Sequence, residues 1–274
     1  MTKALMEFLG KIFNGILEGI NPDGIIQNNL TFTGEQVSWT VNAWSAGGIR
    51  VIAVGLTILF FILELNRAYF FDGRELSYKT IAVPFVKLAV AVTVLKYAGG
   101  LITIILNTSN ALVRTIGGVG PNEQNEPPAD LLNDYFNKES WIVLILCILI
   151  MIIFWLVSQV ILLVFLYKIL LFKMEFIIRI IFTPVALADV YSGMHSNAVR
   201  WLKALFALAL YGACFIIIPK VGAMFMNTLI TDAMSEGASG VFKMFKLLVM
   251  TLVVPIAELG MLGVAKQVTK EALV

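Results

Sequence analysis

Histidine and cysteine are almost missing from this chain of 274 residues, which holds one His, His195, and two Cys, Cys147 and Cys214. A single imidazole cannot build a His-rich metal site, and neither cysteine has a CxxC neighbour to bind zinc or form a redox pair. Both cysteines sit in strongly apolar runs, which argues against a disulfide framework. Charge is scarce as well: 14% of residues are charged, against about a quarter in an average soluble domain. The phosphate-binding loop is missing too, because Gly117-Gly118-Val119-Gly120 runs into Pro121 and not into Gly-Lys-Ser/Thr. Any nucleotide-driven work therefore belongs to another chain. Ser192, His195 and Asp189 lie close together but lack a nucleophile elbow and oxyanion-hole glycines, so we expect no enzyme and no cofactor. The net charge of +2 carries no nucleic-acid signature.

What the chain has in abundance is apolar surface. Hydrophobic residues make up 59% of it, and the mean hydropathy is +0.89. A water-soluble fold of that composition would expose larger apolar patches than folded monomers carry, and disorder needs the opposite composition. The expected class is an all-α polytopic membrane protein. A spanning helix needs about 20 apolar residues, and five stretches qualify: 46–63, 81–106, 141–167, 201–219 and 242–265. Lys168–Ala188 is apolar but carries Lys168, Lys173, Glu175 and Arg179. Lys168, Glu175 and Arg179 fall on one helical face within about 40°. Glu175 and Arg179 also stand i,i+4 in the favourable order. We read this stretch as a bent extension of the third helix or an interfacial elbow ending at Thr183-Pro184, in preference to a sixth span.

Ahead of the spans, residues 1–32 read as a separate segment. Leu5, Phe8, Ile12, Phe13, Ile16, Leu17 and Ile20 recur at helical spacing, and Glu7, Lys11 and Glu18 interrupt them. That pattern excludes a continuous signal-peptide core and fits an amphipathic helix lying at the membrane surface. Asn21-Pro22-Asp23-Gly24 reads as a turn, and Thr33 with Gln36 as a capping box that starts the next helix. Residues 33–274 then form one transmembrane domain, with an outer loop over 117–140.

Orientation follows from lysine and arginine near the span ends. With five spans, ten of the 20 Lys and Arg fall on the side of the C-terminus and seven on the other. The outer loop is acidic, carrying Glu123, Glu126, Asp130, Asp134 and Glu139 against Lys138. The expected topology is N-terminus outside and C-terminus cytoplasmic, in the cell membrane, with Trp39, Trp44 and Trp141 at the outer interface.

Charge inside a span costs roughly 2.5–3.5 kcal/mol near the bilayer centre on insertion scales. Arg50, Lys87, Lys96 and Glu258 all lie within apolar runs. Arg50 and Lys87 can snorkel to the headgroups. Lys96 is deeper, and Glu258 is a candidate partner for Lys87 or Lys96, in a structural pair or a polar lumen. Pro84, Pro184, Pro219 and Pro255 each remove a backbone hydrogen bond and predict kinks or breaks. Gly55, Ala89, Ala209, Gly212, Ala213, Gly260 and Gly263 are candidates for close helix packing.

One segment carries more than composition. Met174-Glu175-Phe176-Ile177-Ile178-Arg179 leads through Thr183-Pro184-Val185-Ala186-Leu187-Ala188-Asp189 to Val199-Arg200-Trp201-Leu202-Lys203-Ala204-Leu205. It resembles the TrbL-like polytopic inner-membrane subunits of type IV secretion systems, especially those of Gram-positive conjugative elements. The matching positions are Arg179, Pro184, Asp189 and Lys203. The resemblance implies an oligomeric channel or scaffold that helps pass relaxase-bound single-stranded DNA outward. It also implies a secretion ATPase, a bitopic scaffold and small membrane subunits as partners, with membrane lipid around them. The long outer domain and extended C-terminal tail of some family members are missing, and the acidic outer loop would repel DNA phosphates. A small-solute or ion transporter with a midplane site at Lys96 and Glu258 is the alternative.

Overall fold

In the computed structural model, residues 11–12, 23–45, 48–70, 78–118, 141–189, 197–235 and 240–272 are described. They form helices α1 (Asp23–Leu30), α2 (Gly34–Ser45), α3 (Gly48–Phe70), α4 (Tyr78–Gly118), α5 (Trp141–Leu187), α6 (Asn197–Ser235) and α7 (Gly240–Glu271). No strand occurs among the described residues. Five helices are long and apolar enough to cross a membrane: Gly48–Arg67, Ala82–Gly118, Ile145–Leu187, Asn197–Met226 and Leu248–Glu271. The protein is an all-α, multi-pass membrane protein, as its composition requires.

The helices are longer than the apolar stretches that announce them. The α4, α5 and α6 helices have 41, 47 and 39 residues, or roughly 60–70 Å at 1.5 Å per residue, twice a hydrocarbon core of about 30 Å. Composition marks where a helix is greasy and not where its hydrogen bonds stop. Lys220, read from composition as lying beyond the fourth span, is therefore inside α6. The Lys168–Ala188 stretch is settled in the same way: α5 continues through it to Leu187, as a helix extension.

The four prolines do not break their helices either; Pro84, Pro184, Pro219 and Pro255 are each inside one and buried. Past Pro184 the ladder resumes at once, with Ala188 N–H donating to the Pro184 carbonyl at 3.1 Å. One turn earlier the Thr183 hydroxyl donates to the Arg179 carbonyl at 2.9 Å. Such side-chain donors re-satisfy backbone acceptors around a proline and let a membrane helix carry it.

The capping box is realised: Gln36 N–H donates to Thr33 Oγ1 at 3.3 Å, and Thr33 N–H donates to Gln36 Oε1 at 3.2 Å. The expected turn at Asp23-Gly24 is not, because both residues open α1. Of the amphipathic stretch over residues 5–20, all but Lys11 and Ile12 lies outside the described residues, as do residues 119–140 of the outer loop.

Contacts group the chain into two compact units. The first comprises Met1–Leu30, Val113–Leu171 and Ala213–Ala265. Its core includes Ile26, Leu30, Cys147, Met151, Phe165, Phe215, Leu248 and Leu262. Edge-to-face aromatic pairs join α5 to its neighbours, Phe154 with Phe245 at 6.1 Å and Phe165 with Phe215 at 5.9 Å. Lys220 Nζ donates to the Ile116 and Gly117 carbonyls at 2.9 and 2.8 Å, capping the C-terminal end of α4.

The second unit comprises Thr31–Leu112, Phe172–Gly212 and Lys266–Val274. Phe32, Phe172, Phe176 and Tyr211 form a continuous aromatic chain with centroids 5.4–5.8 Å apart. Phe172 lies against Gly212, where any side chain would collide with its ring. That is close packing of the kind expected at Gly212, whereas Gly55, Gly260 and Gly263 face open space. Asn110 pins the entry to α2, its side chain accepting from Phe32 N–H at 2.8 Å and donating to the Phe32 carbonyl at 3.0 Å.

Candidate functional site

The most structured group of charges lies in the second unit, where α5, α6 and the end of α7 meet. The i,i+4 pair that the sequence announces is formed, with Arg179 donating to Glu175 Oε1 from Nε at 3.2 Å and from Nη2 at 2.9 Å. A third member arrives from 91 residues away: Lys266 Nζ donates to Glu175 Oε2 at 2.7 Å. One carboxylate thus bridges two cations, each of its oxygens engaged by a different helix. The α6 wall opposite is apolar, made of Ala204, Ala207 and Leu208, and Tyr211, Thr269 and Lys270 complete a small pocket around the ions. Lys168, expected on the face of Glu175 and Arg179, is half-buried and does not line that pocket.

Arg179 also faces the start of α6. Its guanidinium lies 5.9 Å from the centroid of the Trp201 ring, within cation–π range. The Trp201 indole N–H donates to Thr183 Oγ1 at 3.2 Å. Asp189 follows two residues after α5 and accepts from Asn197 N–H at 3.0 Å, placing a carboxylate on the first residue of α6. Negative charge there is favoured by the unpaired N–H groups and the helix dipole. Arg179, Pro184 and Asp189 thus belong to one α5–α6 junction, while Lys203 is exposed nearly two turns into α6. Lys173 takes another direction, donating to the Thr31 carbonyl at 2.9 Å with its ammonium 5.2 Å from the Phe32 ring centroid. Ser192 and His195 lie outside the described residues.

The intramembrane charges resolve differently from the sequence expectation. Lys87 forms its ion pair with Glu64 on α3, an acidic residue that composition did not single out. Lys96 is exposed, its ammonium 5.7 Å from the Tyr97 ring centroid. Arg50 is exposed near the start of α3. Glu258 is buried, 7% exposed, and packs against Gly222 of α6. Gly222 was not among the glycines expected at a packing surface. Nothing in its local sequence marks it, because the contact depends on the register between α6 and α7.

No protein-family model matches the chain, and neither a curated protein nor a solved structure is significantly similar to it.

Proposed function

We propose that the protein is an oligomeric channel or scaffold subunit of a type IV secretion machine for conjugative DNA transfer. It sits in the cytoplasmic membrane with its N-terminus outside and its C-terminus in the cytoplasm. It works beside a secretion ATPase, a bitopic scaffold and small membrane subunits, and helps relaxase-bound single-stranded DNA across. The observation that carries this reading is the 174–205 segment, where Arg179, Pro184, Asp189 and Lys203 fall in the order of TrbL-like subunits.

Two features support a role in assembly over one in chemistry. Arg179 faces Trp201 of α6, and Asp189 accepts from the first residue of α6, as a junction would require. Large apolar side chains are also exposed along α5 from Ile142 to Phe182, roughly 60 Å of helix, whereas a bilayer core covers about 30 Å. A second subunit is well suited to cover the excess. Arg179, Arg200, Lys203, Lys266 and Lys270 favour the cytoplasmic side for this end of the second unit.

Conjugative transfer by Arg179→Ala and Lys203→Ala cells tests the reading. Both variants are expected to insert normally and to transfer at background level, and wild-type transfer by both would contradict it. Lys203 is exposed, so its variant separates function from folding. Uptake of a small solute by liposomes containing only this chain would favour a transporter instead.

A further inference from the structure

The pocket around Glu175 has a charge balance that its internal pairing does not close. Among the described residues, three cations, Arg179, Lys266 and Lys270, line it with the single carboxylate of Glu175. Glu175 orders Arg179 and Lys266 by gripping both, yet the group keeps a surplus of two positive charges. Its donors are also in surplus. A guanidinium has five N–H donors and an ammonium three, and Glu175 engages two of the former and one of the latter.

We infer that this pocket is a binding site for a phosphate group, with an anionic phospholipid headgroup as its favoured bearer. Four observations lead there. The pocket is shallow, about 20 Å³, which admits a single oxygen-sized group and leaves the remainder of a ligand at the mouth. The cations approach from two helices, Arg179 on α5 and Lys266 with Lys270 on α7, so their charge-assisted donors can reach different oxygens of one phosphate. Lys266 and Lys270 follow directly after the apolar run 242–265, which places the group at a membrane–water boundary where headgroup phosphates lie. Apolar surface adjoins it, with Ala204, Ala207 and Leu208 in the wall and exposed Ile178 and Phe182 flanking Arg179 on α5. A phosphate with an acyl tail fits both surfaces, while free phosphate uses the cations alone. Basic pockets between membrane helices select anionic lipids by this chemistry. The inference rests on the multi-pass membrane fold and is independent of the secretion reading.

Lys270 is the residue to test, because it is exposed and Lys270→Gln leaves the Glu175 pairs in place. The full chain is placed in nanodiscs of phosphatidylcholine alone or of phosphatidylcholine with phosphatidylglycerol, and the lipid retained on release into mild detergent is counted by native mass spectrometry. Wild type is expected to retain phosphatidylglycerol preferentially. Lys270→Gln is expected to lose roughly fivefold in that preference, the equivalent of about 1 kcal/mol per interfacial charge, and Lys270→Arg to keep it. In the phosphatidylcholine discs, inorganic phosphate is titrated against the thermal midpoint. A saturable rise that Lys270→Gln weakens, without any lipid preference, supports the phosphate site and assigns it to the free ion. No lipid preference and no phosphate response in wild type, or equal responses in wild type and Lys270→Gln, overturn the inference.

Discussion

Glu175→Gln is expected to lower the stability of the detergent-solubilised protein by about 2 kcal/mol, between the cost of breaking a buried pair and that of breaking an exposed one. The side chain keeps its size, so the effect isolates the charge. Glu175 is the anion that Arg179 and Lys266 share, and those two side chains are 27% and 40% exposed. Removing its charge leaves two cations near one another with no anion between them, and Lys270 adds a third to the same pocket. The loss should therefore be repaired in part by removing a cation. Lys266→Met alone is expected to destabilise, because it takes one partner from Glu175, but combined with Glu175→Gln it should cost less than the two single changes added. Unfolding curves of the four proteins give the coupling, expected at about 1 kcal/mol or more for groups in direct contact. Additive losses would show that the three ions do not act as a unit.

Gly222→Leu is expected to destabilise the first unit by about 3 kcal/mol, the upper part of the range for forcing extra volume into a packed interior. A Cβ on Gly222 would overlap Glu258 Oε1 and stand 2.7 Å from its Cδ and 3.2 Å from its Cγ. A side-chain tip can often swing aside, but Glu258 is only 7% exposed and its whole terminal half is in the way. The chain offers its own controls. Gly55 and Gly260 face open space, so Gly55→Leu and Gly260→Leu are expected to leave the thermal midpoint in detergent nearly unchanged. Gly222→Ala should be rescued when Glu258→Ala is added, since the pair exchanges a clash for two small groups. Equal midpoints for Gly222→Leu and Gly55→Leu would show that α6 and α7 do not meet at this glycine.

The parts of the architecture legible from the sequence are those fixed by composition and by spacing within one helix. All five membrane-crossing helices follow from apolar content, because the hydrocarbon core admits little else. The Thr33–Gln36 cap and the Glu175–Arg179 pair follow from offsets of three and four residues, which place side chains together on any helix. Partners supplied by a different helix were not legible. Lys266 reaches Glu175, Glu64 reaches Lys87, and Gly222 makes room for Glu258 only because of how the helices are registered, which no local pattern encodes. Helix ends were misplaced for a related reason. Lys220 looked like the polar end of a span, yet it reaches the last carbonyls of α4 from inside α6, so its charge is an internal fastening.

The central claim, that the chain is one subunit of a secretion assembly, is tested most directly by purifying it from its native membranes in mild detergent and measuring the mass and composition of what it brings. The account predicts several copies of the chain together with a secretion ATPase and further membrane subunits of the machine. A particle with only one or two copies of this chain and none of those subunits would contradict it.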